Sequence, residues 1–403
     1  MKILILTQYF SPETGAPQNR LLELAKGFKK LGWEVTVVTA VPNYPRGKIF
    51  DDYRGIFKTE EKAEGIWALR YWLFASNSAK TIPRIFSMLS FSMTCLLSYP
   101  FVRKFRPDFF FVESPPLTLA LSGRILSRFA KSKLIMNVSD VWPLSAKELG
   151  YINEGFLYRK LEKLEQSLYK KSFLCSGQSE EIVSHIKKSG GKNVYLFRNG
   201  VDVKRFEKPV IKLQNENNIK IIYAGLIGVA QGIVDMAKNI NFKELGAELH
   251  IYGEGAEKIS LENFLKENPG RNIILNSSIR REEIPHLLSK FYCALIPLVS
   301  NIYGAVPSKI YEAMAAGLPI LFSGAGEGAK IISESNTGLV SSPKDFEGLK
   351  KNIIEIKNSN ELRNKMSVNG RKLAEERFDR NKLIEDFSNE LIKLKNQGQY
   401  PNE

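Results

Sequence analysis

Apolar residues in this chain fall in short runs, and most runs alternate with stretches where apolar positions recur every three or four residues. The runs read as buried strands and the stretches as amphipathic helices. In the first half this predicts strands at 2–7, 34–39, 66–74, 108–112, 133–137, 173–176 and 194–197. Helices are expected at 18–30, 83–104, 117–129, 158–171 and 180–189. Strands buried on both sides and joined by helices imply a parallel sheet wrapped on both faces.

The alternation breaks at Arg198-Asn199-Gly200-Val201-Asp202, which is turn chemistry, and at the polar stretch 204–218, the expected linker. It restarts with strands at 219–224, 248–252, 272–275, 292–296, 318–322 and 339–340. Helices begin near 231, 257 and 281, span 307–316, and recur near Ala329. Three more, around 345–357, 360–377 and 379–395, close the chain. The expected organisation is α/β, with two doubly wound, Rossmann-like domains: 1–203, then 204–378, with 379–403 as a terminal helix. Such sheets bind ligands beyond the carboxyl ends of their strands. That rule selects the glycine loops at Gly15, at Gly225 and Gly228, and at Gly253-Glu254-Gly255. The bland alternative for each glycine is simple turn geometry.

A length of 403 residues suits two domains, and 43% hydrophobic with 25% charged residues describes a folded protein. Cys95, Cys175 and Cys293 are widely scattered, so neither a zinc site nor a disulfide framework is expected. The first residues lack the pattern of a secretory leader, and a cytoplasmic location is expected. The net charge of +15 is lopsided, because residues 1–200 carry +13 of it. Ten basic residues against two acidic ones lie within 70–133, around an uncharged segment, 85–102. A basic-rimmed apolar helix points to docking in the plane of an anionic membrane surface; a buried core helix and a true span are the alternatives. Nucleic acid is not expected, since no nucleic-acid module or aromatic-glycine interleaving is present.

The segment 306–320, VPSKIYEAMAAGLPI, carries the most chemistry. Pro307 suits the first turn of a helix, and Ser308 and Lys309 then sit where free N–H groups and the helix dipole attract an anion. Glu312 lies a turn further in, and Gly317 can end the helix in the left-handed region. A cation, an anion cradle and a nearby carboxylate suggest a grip on a nucleotide diphosphate, with Glu312 on ribose hydroxyls. A capped surface helix is the plain alternative. Asp140 and Glu113 are candidate carboxylates at strand ends for orienting or deprotonating an acceptor hydroxyl. The three histidines look structural, and no metal-ligand cluster is visible.

These motifs carry a family resemblance over essentially the whole chain. TQYFSPETGAPQNRL (7–21), VTAVPNYPRGKI (38–49), ESPPL (113–117), NVSDVWPLSAKELG (137–150), FRNGVDVKRF (197–206), YAGLIGVAQG (223–232) and VPSKIYEAMAAGLPI resemble family 4 glycosyltransferases of the GT-B type. Within it the chain looks most like bacterial surface-polysaccharide transferases of the N-acetyl-L-fucosamine transferase type. The resemblance implies two Rossmann-like domains facing a central crevice, the first binding acceptor and the second nucleotide-sugar, with the terminal helix packing back on the first. It implies metal-independent, retaining transfer, without a cofactor, from a UDP-sugar to a polyprenyl-diphosphate-linked saccharide in O-antigen or capsule synthesis. The enzyme would be peripheral on the inner face of the cell membrane. Glu312 matches the second glutamate of the E-x7-E motif, whereas the first falls at Gly304. The loop 225–232 lacks the usual Arg and Lys. The diphosphate is therefore expected at Lys309 and the backbone amides of 304–308, and Gly15 matches the glycine loop under donor and acceptor. A GT-B-type sugar-nucleotide epimerase and a non-catalytic sugar-nucleotide or lipid-binding scaffold are the competing readings.

Overall fold

The computed structural model describes residues 1–77, 81–148, 150, 152–207 and 218–397. Lys80, the side chain of Arg84 and most of the expected 204–218 linker lie outside them. The chain forms two compact units, 1–198 with 381–403, and 199–380.

The first unit runs β1 (Lys2–Leu6), α1 (Ala16–Lys30), β2 (Glu34–Ala40), β3 (Lys58–Ala63), β4 (Ile66–Tyr71), α2 (Thr81–Thr94) and α3 (Tyr99–Phe105). There follow β5 (Phe109–Ser114), α4 (Leu117–Ala130), β6 (Lys133–Val138), α5 (Leu144–Glu148), α6 (Phe156–Lys171), β7 (Leu174–Gly177), α7 (Glu180–Lys188) and β8 (Val194–Leu196). Its sheet has the order β3-β4-β2-β1-β5-β6-β7-β8. All pairs are parallel except β3–β4. The antiparallel edge corrects the expectation of a purely parallel sheet. Its sequence, KTEEKA, is charged at most positions, as an edge strand open to water tolerates. The helix expected over 83–104 is also divided. A tight turn at Cys95–Ser98 separates α2 from α3, just ahead of Pro100, whose ring and missing N–H disfavour a continuous helix.

The second unit runs β9 (Ile219–Ala224), α8 (Ile233–Asn239), β10 (Ala247–Tyr252), α9 (Lys258–Glu267), β11 (Ile273–Asn276), α10 (Ile284–Leu288), β12 (Cys293–Pro297) and α11 (Ser308–Ala315). It continues with β13 (Ile320–Ser323), α12 (Gly326–Glu334), β14 (Gly338–Ser341), α13 (Phe346–Asn358) and α14 (Asn360–Arg377). Its sheet is parallel throughout, in the order β11-β10-β9-β12-β13-β14. Strand alternation feeds two cores: on β9, Ile221 and Tyr223 join one face and Ile222 the other.

The last helix, α15 (Arg380–Asn396), packs on the first unit. Phe387 is fully buried there, stacked on Phe197 with ring centroids 4.5 Å apart and tilted against Phe28 at 6.2 Å. Gly27 opens the space on α1, because a Cβ there would lie 2.8 Å from Ile384 Cδ1.

Candidate functional site

In the second unit the strand order reverses between β9 and β12, which makes the loops after these strands the natural ligand seat. The loop after β9 lies flat on the loop after β10. Gly225 N donates to Tyr252 O at 2.8 Å, and Ile227 N to Glu254 O at 2.8 Å. A Cβ on Gly253 would lie 1.8 Å from Gly225 O, and one on Gly255 2.1 Å from Ile227 O. Backbone packing therefore requires these two glycines, and their role is to seat the 225–227 loop. Gly228 closes the turn into α8, its carbonyl accepting from Gln231 N at 3.0 Å and Gly232 N at 3.3 Å.

The other side of Gly225 is different. A Cβ there would lie 2.2 Å from Lys309 Cε and 2.6 Å from Nζ. The lysine side chain thus fills the place of the absent one. Lys309 comes from the first turn of α11, which begins where Pro307 leaves an extended conformation and ends at Gly317, φ 64°. Ile310, Tyr311, Ala313, Met314 and Ala315 bury the helix's core face, while Ser308, Lys309 and Glu312 keep partial solvent access. The far end is fixed by Arg371, whose Nη1 donates to Ala315 O at 2.7 Å and to Phe206 O at 3.1 Å.

Lys309 and Glu312, three apart on one helix, face each other electrostatically. Burial pushes the Glu312 pKa up, and Lys309, Arg281 and Arg205 oppose it. Burial lowers the Lys309 pKa, and Glu312 opposes that. Arg281, likewise lowered by burial, is held to Arg205, whose Nη2 donates to its carbonyl at 2.7 Å. Sequence reading missed both arginines, although Arg205 lies in a motif and Arg281 follows a strand end. Gly304 is buried at φ 79°, so the departure from a glutamate here goes with a backbone that disfavours any side chain.

In the first unit the reversal falls between β1 and β5. Glu113, Asn137 and Ser176 occupy one row across β5, β6 and β7. Asn137 Nδ2 donates to Glu113 Oε2 at 2.8 Å, and Ser176 Oγ to Asn137 Oδ1 at 2.8 Å. Glu113 Oε1 accepts from Arg20 and Ser139, and Gln178 Nε2 donates to Ser139 Oγ at 2.8 Å. Glu113 is thus held in a nearly buried ion pair. Asp140 stands beside this network with its side chain exposed. Crowding by protein raises its pKa, Arg20 opposes and Glu113 adds to the rise. Its open surface limits that rise, since water still solvates the charge. Sequence reading found both carboxylates but not Arg20, Asn137, Ser139 or Gln178.

Gly15 stands at the start of α1, the helix that also supplies Arg20. A Cβ on Gly15 would lie 2.4 Å from Gln18 Oε1 and 3.1 Å from the Tyr44 ring, so a side chain would have to displace the end of Gln18. The loop before Gly15 is pinned by Glu13, which is buried and was not anticipated. Its Oε1 accepts from Asn43 N at 2.7 Å and Tyr44 N at 2.8 Å, and its Oε2 from Phe10 N at 3.0 Å. Burial still raises its pKa to about 7 against those donors and against Arg70. Among the described residues no group of three His, Cys, Asp or Glu side chains is placed to hold a metal. His185 lies 3.1 Å from Glu165 Oε1, and His250 2.5 Å from Glu248 Oε1.

Comparison with known proteins covers both units. Residues 15–200 match the family Glycosyl transferase 4-like domain, and residues 204–373 match Glycosyl transferases group 1. The chain is 26% identical over 340 residues to WcaI of Escherichia coli K12, assigned to colanic acid biosynthesis as a glycosyl transferase; the match covers 79% of this chain and 82% of WcaI. Sucrose-phosphate synthase from Thermosynechococcus elongatus superposes with a TM-score of 0.76 at 16% identity, covering 98% of this chain and all of the other. Anabaena Alr3699/HepE, solved with UDP and glucose, superposes with a TM-score of 0.69 at 15% identity over 98% of this chain and all of the other.

Proposed function

We propose that this chain, a glycosyltransferase of the GT-B fold whose two halves each match a glycosyl transferase family, is a family 4 enzyme that transfers a sugar from a UDP-sugar to a lipid-linked saccharide in bacterial surface polysaccharide synthesis. The donor diphosphate binds at Lys309, Ser308 and the amides of 304–308, and Glu312 takes the ribose hydroxyls. The observation that carries this reading is Lys309 folded over the bare Cα of Gly225, with Glu312 one turn away, at the strand-order reversal. An anion there gains a cation and helix N–H groups in partly desolvated surroundings, where both count for more than in water. WcaI supports the polysaccharide assignment, and the UDP complex of HepE supports the nucleotide.

Transfer proceeds with retention. Lys309 and the α11 amides stabilise the charge that develops on the departing diphosphate, and the leaving phosphate accepts the acceptor proton. Asp140 and Glu113 belong to the acceptor side. Asp140 is the better candidate to touch the acceptor, because Glu113 already spends its oxygens on Arg20, Ser139 and Asn137. An N-acetylated deoxyamino sugar is the proposed donor sugar. The test is calorimetric titration with UDP. Lys309→Ala should weaken binding at least about tenfold, as loss of one charge-assisted contact does, and Lys330→Ala should not. Equal affinities for the two variants would sink the assignment.

A further inference from the structure

The helix α2 exposes most of its large apolar side chains. Its inward side and the turn after it carry Ser87, Ser92, Cys95 and Ser98 beside one large apolar group, Phe91, all buried. Ser92 Oγ lies 2.9 Å from Thr118 Oγ1 on α4, and Ser122 Oγ donates to Ser92 O at 2.6 Å. The outward side presents Ile82, Ile85, Phe86, Leu89, Met93 and Leu97, of which Met93 is 70% and Phe86 60% exposed. A helix built to face water has the opposite pattern. On α4 a second stripe, Leu121, Ile125 and Phe129, is also exposed.

The two stripes share a side. Ser92 meets Thr118 and Ser122, and seven residues on Tyr99 stacks edge-on against Phe129 at 5.4 Å, so the helical runs are parallel. Leu89 and Met93 lie just past Ser92 in the sense of helical rotation, and Leu121 and Ile125 just behind Ser122. On parallel facing helices those positions come together. The charges on the helices that carry them have one sign. No Asp or Glu occurs in α2, α3 or α4, whereas Arg103, Lys104, Arg106 and Arg128 are exposed at their ends.

We propose that the α2–α4 face docks in the plane of an anionic phospholipid surface, its apolar stripes entering the interface and its arginines and lysines meeting the phosphates. The segment Ile85–Phe105 is long and apolar enough to span a bilayer. Spanning would strip Ser92 and Ser122 from their partners and expose the serine face to lipid, so the helix lies flat. The inference rests on the reading of a lipid-linked acceptor only for its purpose, since such docking brings enzyme and lipid anchor to one surface.

The test is cosedimentation of the full chain with vesicles. The wild type should pellet with vesicles of mixed phosphatidylglycerol and phosphatidylcholine and at least about tenfold less with phosphatidylcholine alone, with binding weakened by salt. Phe86→Ser/Met93→Ser and, separately, Arg103→Glu/Lys104→Glu/Arg128→Glu should each lower partitioning by at least about tenfold; all five positions are exposed, so the fold should persist. Undiminished binding by either variant overturns the proposal. So does resistance of the membrane-bound protein to alkaline carbonate, which marks a span. A lipid-free dimer abolished by Phe86→Ser/Met93→Ser also overturns it, since it would make the face a protein interface. UDP affinity measured on the same variants separates the two readings: vesicle binding without UDP binding leaves this proposal standing and removes the functional one.

Discussion

Lys309 is the residue on which the proposed donor site turns, and its altered acidity makes that assignment testable without structure. Burial holds its pKa below the ordinary 10.5. A bound diphosphate raises the pKa, so below the free-state value the lysine is charged in both states and affinity is full. As pH rises through that value, binding must take up a proton. UDP affinity should therefore fall on the alkaline side for the wild type and stay flat for Lys309→Ala. Glu13 makes a second prediction, on stability. Its folded pKa of about 7 stands above the ordinary 4.5. Below 4.5 the group is protonated in both states and its contribution is intact. Between 4.5 and 7 the unfolded state ionises first, and stability falls by up to about 3 kcal/mol, at 1.36 kcal/mol per pKa unit. Glu13→Gln should flatten that part of the stability profile measured by denaturant titration. Lys309 and Glu312 were legible because both belong to one helix start. Arg20, Arg205 and Arg281 were not, because long side chains converge from remote positions and leave no spacing to read.

Among elements, the glycine loops separate into two kinds that look alike in sequence. Gly253 and Gly255 face backbone carbonyls, whereas Gly225 faces a movable lysine. Gly253→Ala should destabilise the second unit by about 1–3 kcal/mol, the usual cost of overpacking, with UDP affinity measured on the folded fraction little changed. Gly225→Ala should do the reverse, displacing Lys309 at small cost in thermal stability. Strand and helix alternation was readable wherever buried runs met amphipathic stretches. It missed β3, where a charged edge strand has no apolar run, and the division of α2 from α3, where only Pro100 signalled a break.

For the whole molecule, alternation implied two sheets, and each appears with its strand order reversing next to the first strand of the unit. What alternation could not show is how far α15 is integrated into the first core, because a terminal amphipathic helix carries no address. Phe387 is enclosed by Phe28, Tyr195 and Phe197, so Phe387→Ala should cost about 3–5 kcal/mol in the first unit. The excess of positive charge in the first 200 residues suits the proposed docking on anionic lipid, while the near-neutral remainder sets Lys309, Arg281 and Arg205 to act on Glu312. If the two halves serve one reaction, the protein must turn over a donor in the presence of membranes. Purified protein would be incubated with bacterial membranes and a panel of UDP-sugars labelled in the sugar, and label followed into the lipid extract. Transfer from at least one donor into lipid-linked saccharide, abolished by Glu312→Ala, is the expected result. Donor bound but never consumed, or released as a free epimer without acceptor, would contradict it.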